Sequence, residues 1–195
     1  TPENEDVYYE FIMNEFKRRR EGVFFMNKGE AIYLTPAHYM ALQHVKMLDT
    51  GSYMDFRFAQ LEMFYFTRAC VLDPRCLGEL FVKSRRTGFT YQIICEMIND
   101  GTSISNSKLG MISKTGDDAQ EAFLKMTYGI QNLPFFFIPV IKGKIDSKTE
   151  VEFAKPSDST KTAKKKKDNN TDDYLNTLLN WKTTTESAYD GQRMT

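Results

Sequence analysis

Residues 83–90, KSRRTGFT, hold the side chains of this sequence best suited to chemistry on phosphate. Lys83, Arg85 and Arg86 put three cations within four residues, and Gly88 and Thr90 follow closely. The usual phosphate-loop pattern, G-x-x-x-x-G-K-[ST], places its lysine directly after the second glycine. With Gly88 in that role, Thr90 falls on the hydroxyl position and Phe89 stands where lysine belongs. Lys83 then occupies the first glycine position. A glycine lets main chain approach a phosphate closely, and a threonine hydroxyl in the first turn of a helix offers a ligand to magnesium. Two readings follow: a phosphate loop whose lysine has moved to its other end, or a solvated basic turn.

A phosphate loop needs a strand before it and a helix after it, so that backbone amides and the helix dipole converge on one concavity. Residues 78–83, GELFVK, read as a short apolar strand, and FTYQIICEMIND as a helix stopped by Gly101. The plan then repeats. KLGMIS has the composition of a buried strand, and TGDDAQEAFLKMTYGI that of a helix with acidic residues in its first turn. FFFIPVI, TEVEFA and YLNTLLNWKTT read as further strands. Strands alternating with helices predict an α/β fold with a mostly parallel sheet flanked by helices.

Upstream, Val7, Phe11 and Phe16 lie near helical period in a segment with a basic end, over residues 6–20. GVFFMNKGEAIYL reads as two strands about an Asn-Lys-Gly turn. Thr35 and Pro36 pair as helix cap and first helical residue, opening a helix to about Leu48. A helix near 55–72 is apolar around most of its circumference, which predicts burial, and Phe56, Phe58, Phe64 and Phe66 within that region are expected to pack in the core rather than stack on bases. Residues 1–54 therefore form a lead-in and 55–195 the core. Residues 155–173 are polar and lysine-rich and predict a flexible loop.

The 195 residues balance 26 basic against 26 acidic side chains, so net charge selects no partner. Cys70, Cys76 and Cys95 form no C-x-x-C element and read as reduced thiols. His38 and His44 are spaced too far apart to share one helix face as metal ligands. LPFFFIPVI, the longest apolar run, is far short of a bilayer span.

The loop resembles that of the ATPase domain of tailed-phage large terminase subunits, the motors that package DNA into capsids. KSRRTGFT is similar to the displaced form of the lambda-like branch, Lys-Ser-x-Arg-x-Gly-aromatic-Ser, with Thr90 replacing the serine. GMISKTGDDAQEAF, LPFFFIP, EFAKPS and AYDGQR also resemble segments of that family, closest in flavour to crAss-like phage terminases. The likeness implies a P-loop NTPase fold and binding of ATP and Mg²⁺. On it, Lys83 neutralises the β- and γ-phosphates, and Arg85 or Arg86 stabilises charge on the γ-phosphoryl group. Ser84 and the amides of Thr87, Gly88, Phe89 and Thr90 cradle the phosphates, Thr90 holds magnesium, and Gln60 contacts adenine.

The likeness further implies translocation of double-stranded viral DNA in the host cytoplasm, by a ring of identical subunits working with portal protein and small terminase subunit, away from any membrane. The family also needs an acidic pair after an apolar strand, the Walker B element. That pair is not found in this sequence, so the chain reads as a front half whose hydrolysis is weak. The rival reading is a non-catalytic module gripping nucleic-acid phosphates with the basic residues of 83–86.

Overall fold

The computed structural model describes residues 2–84, 87–145, 147–155, 174–185 and 188–189. Helix α1 (Pro2–Glu21) ends in Arg18, Arg19 and Arg20, cations at the negative pole of the helix. Strands β1 (Val23–Asn27) and β2 (Glu30–Leu34) form an antiparallel hairpin. Its turn requires left-handed backbone, taken by Lys28 at φ 51° and Gly29 at φ 89°. Thr35 caps helix α2 (Pro36–Gln43), its hydroxyl oxygen accepting from the His38 amide, and the helix stops several residues short of Leu48.

Helix α3 (Phe58–Leu72) buries one stripe, Gln60, Leu61, Phe64 and Thr67, and leaves Phe58, Phe66, Val71 and Leu72 exposed. The expectation of a fully buried helix is thereby corrected. Of the four phenylalanines assigned to the core, Phe64 alone is fully buried. Phe56 is half-buried against Phe25 and His38. An apolar composition on all sides does not supply neighbours on all sides, and one helix face is covered here.

Helix α4 (Phe89–Gly101), strand β3 (Lys108–Ser113) and helix α5 (Gly116–Gln131) follow as expected, with the Thr115 hydroxyl oxygen accepting from the Asp118 amide at the start of α5. The run after α5 departs from expectation. It forms a 3-10 turn at Phe135–Phe137 and the short strand β4 (Ile141–Lys142). Pro134 and Pro139 remove two backbone donors that a longer strand would need. Strands β5 (Glu150–Phe153) and β6 (Leu178–Thr183) complete a four-stranded sheet in the order β3-β6-β5-β4.

That sheet is mixed rather than mostly parallel. Among the described strands, β3 and β6 alone run parallel, while β5 pairs antiparallel with both β6 and β4. Residues 78–83, read as a strand, form no ladder with any described residue. They carry no regular secondary structure, with Leu80 89% and Val82 96% exposed. An apolar run signals a wish for burial but does not furnish the neighbouring strand that satisfies its backbone.

One core joins most of these elements. Met40, Ala41 and Val45 from the lead-in meet Phe64, Ile94, Ile98, Phe123, Met126 and Leu179. Gly129 of α5 lets α4 and α5 pack closely, since a Cβ there would lie 2.6 Å from Ile98 Cδ1 of α4. Of residues 155–173, expected to be a flexible loop, all but Lys155 lie outside the described residues. Among the described residues no helix is long and apolar enough to cross a membrane.

Candidate functional site

Gly88 stands immediately before α4 with φ 79° and ψ 5°, the left-handed conformation that a side chain makes costly. It turns the chain into the helix, and no side chain caps that helix. The Gly88 carbonyl accepts from the amides of Tyr91 and Gln92. The amides of Phe89 and Thr90 precede the first intrahelical donor and have no acceptor among the described residues. Donors without an acceptor among the described residues, at the positive end of a 13-residue helix, are suited to an anion.

Gln60 reaches this point from α3. It is only 3% exposed, and its amide nitrogen lies 2.6 Å from where a Cβ of residue 88 would sit. Its Oε1 is buried without a hydrogen-bond partner among the described residues. A buried carbonyl oxygen left unpaired costs about 1–3 kcal/mol, so the amide is placed at a cost to stability directly behind the glycine. Gln92, one turn into α4, is fully buried and has neither amide atom partnered among the described residues. The sequence carried a signal for it, a lone amide within the apolar run YQIIC.

The loop's other end is held by aromatic contacts. Phe66 of α3 meets Phe81 at 5.5 Å, and Phe81 meets Phe89 at 4.6 Å. The Thr67 hydroxyl donates to Glu79 Oε2 at 2.9 Å, which ties segment 78–83 to α3. Lys83 is exposed, and its ammonium nitrogen stands 5.7 Å from the centre of the Phe89 ring. The lysine from the loop's start thus lies over the residue that takes the usual lysine position. The Thr87 hydroxyl donates to the Ser84 carbonyl at 3.5 Å and draws the two sides of the loop together. Arg85 and Arg86 lie outside the described residues.

Thr90 is exposed in the first turn of α4 and, with Phe89, borders a cleft of about 530 Å³. Asp118 and Lys125 of α5 and Ser113 at the end of β3 line its far side. Asp118 accepts from the Thr115 hydroxyl at 2.7 Å, while Lys125 pairs with Glu121 at 2.8 Å and Asp49 at 3.4 Å. The structure therefore brings Gln60, Lys83, Ser84, Thr87, Gly88, Phe89 and Thr90 to one helix end.

Gly88→Ala is expected to lower stability by about 1–2 kcal/mol, the cost of left-handed backbone for a residue with a Cβ. The same change crowds the Gln60 amide. Chemical denaturation of Gly88→Ala, Gln60→Ala and the double variant checks this, because coupling between the two sites requires the contact.

The chain is an α/β protein with a glycine-led, uncapped helix end facing solvent. Compared with models of known protein families and with curated proteins, the sequence matches none.

Proposed function

We propose that the chain is the ATP-binding part of a viral DNA-packaging motor of the large-terminase type. The observation that carries this reading is the Lys83 ammonium over the Phe89 ring, at the helix end where the phosphates of a nucleotide would lie. Gly88 and the buried Gln60 oxygen, without a partner among the described residues, support it, since a close main chain and a waiting polar atom fit a phosphate chain with an attached base. Lys83 and the amides of Phe89 and Thr90 would hold the phosphates, and Thr90 would hold Mg²⁺, which shields phosphate charge when bound. Arg85 or Arg86 would meet the γ-phosphoryl group. Hydrolysis in such motors also needs an acidic pair at the end of a strand, and no described strand ends in one. In this reading, then, the chain binds nucleotide and turns it over slowly. Double-stranded DNA, portal protein, the small subunit and a ring of copies are partners of the assembled motor in the host cytoplasm.

The test is nucleotide protection. Mg-ATP at about a hundred times its Kd stabilises by about 2.7 kcal/mol, a rise of about 5–10 °C in Tm for a chain of this size. A module that grips nucleic-acid backbone with the basic residues of 83–86 would respond instead to polyanions generally, and would lose that response in salt. Protection by heparin equal to that by Mg-ATP, and abolished by 0.5 M salt, would overturn the nucleotide reading.

A further inference from the structure

Away from the loop, α1, α3 and α4 enclose a second cleft of about 500 Å³, bordered by Arg19, Arg68, Asn99, Asp100, Thr102 and Ser103. Arg19 is only 4% exposed, yet no carboxylate lies within ion-pair distance of it among the described residues. Buried charges are ordinarily paired. Its Nε donates to Asn99 Oδ1 at 3.4 Å, and its Nη2 donates to the Asn99 carbonyl at 2.9 Å and to Thr102 Oγ1. The Phe137 ring packs against the guanidinium with its centre 4.8 Å away. These contacts fix the fork in one orientation. They occupy Nε and Nη2, and the two hydrogens on Nη1 have no acceptor among the described residues.

We infer that this cleft binds a phosphate group, with Arg19 as its fixed fork and Arg68 as a second cation. A guanidinium held by neutral acceptors keeps its full charge for a ligand, and its planar donors match the oxygens of a phosphate. Burial lowers the Arg19 pKa only to about 10, so the group stays protonated at neutral pH. Asp100 is the carboxylate that borders the cleft, and burial raises its pKa and weakens its claim on the arginines. Arg20 also borders the cleft but is exposed and paired with Glu21 at 2.9 Å. The cleft is larger than a lone phosphate requires, so it has room for a phosphate carried on a nucleotide or a nucleic-acid backbone. The inference is independent of nucleotide binding at the loop.

Inorganic phosphate titrated calorimetrically into the Lys83→Ala variant, at ionic strength held constant with chloride, separates this cleft from the loop. Saturable binding is expected. Loss of one charge-assisted contact in Arg68→Gln should weaken it about tenfold, and Asp100→Asn should tighten it. Arg19→Lys keeps the charge but removes the fork, and should bind more weakly if it folds. Arg68→Gln and Asp100→Asn decide the matter should it not. Competition by adenosine monophosphate or by a short DNA duplex then tells which phosphate carrier fits. No saturable binding, or binding that neither Arg68→Gln nor Asp100→Asn alters, would overturn the inference.

Discussion

Lys83→Ala is expected to remove most of the affinity of this chain for Mg-ATP, by at least about 10–100-fold, with the fold intact. Lys83 is exposed, so its removal leaves no cavity. A lysine–phosphate contact is a charge-assisted hydrogen bond worth about 1.5–3 kcal/mol, and each 1.4 kcal/mol is a factor of ten. Phe89→Ala should behave oppositely. Its ring is half-buried against Phe81, so the change costs about 1–2 kcal/mol of stability and little affinity. The double change Lys83→Gly with Phe89→Lys restores the ordinary pattern and should recover part of the binding. Lysine's flexible stem permits approach to one phosphate from either end of the loop. Titration with a fluorescent ATP analogue reads all three. The moved-lysine idea fails if Lys83→Ala binds like the parent while Phe89→Ala stays folded and does not bind.

The elements legible in the sequence were those fixed by local chemistry. Asn-Lys-Gly dictated the β1–β2 turn, Thr35 with Pro36 opened α2, and Thr115 with Asp118 opened α5. Gly88 marked the turn into α4 because only a residue without a Cβ takes that conformation at low cost. What failed depended on distant partners. The parallel neighbour of β3 is β6, some seventy residues on in the chain, and it lies between β3 and β5. Nothing in KLGMIS encodes that order, so alternation of strands and helices overstated the parallel character. Composition likewise predicts a buried α3, whereas packing covers the stripe of Gln60, Leu61, Phe64 and Thr67 and leaves the other faces to solvent. Segment 78–83 alternates as a strand should, with Phe81 turned toward Phe66 and Phe89 and with Leu80 and Val82 in solvent. Its ladder partner is the missing information. Within the candidate site the loop was readable, whereas the burial of Gln60 against Gly88 and of Gln92 behind it required the packing of α3 on α4.

Glu96→Gln is expected to stabilise the protein strongly in alkaline solution and hardly at all in acid. Glu96 lies on α4, and burial, reinforced by the charges of Asp100 and Glu79 and only partly offset by Arg68, pushes its pKa up to about 8. An unfolded glutamate titrates near 4.5, so between these values the native state holds a proton that the unfolded chain has released. Stability is therefore fully present below pH 4.5 and is lost as pH rises toward 8. With allowance for solvent screening of a half-buried group, the loss is about 2–3 kcal/mol, or about 5–10 °C in Tm. Burial of His38 acts in the other direction. It lowers that pKa to about 4, so the stability that His38 contributes as a neutral ring is lost as pH falls from 6.5. Measuring Glu96→Gln against the parent at each pH cancels the histidine and isolates the glutamate. The difference should be near zero at pH 4 and reach its full value at pH 9, favouring the glutamine. An equal difference at both pH values would mean that Glu96 titrates as an ordinary surface carboxylate, and that the negative charges of Glu79, Glu96 and Asp100 are not forced together where α4 meets the segment leading into the loop.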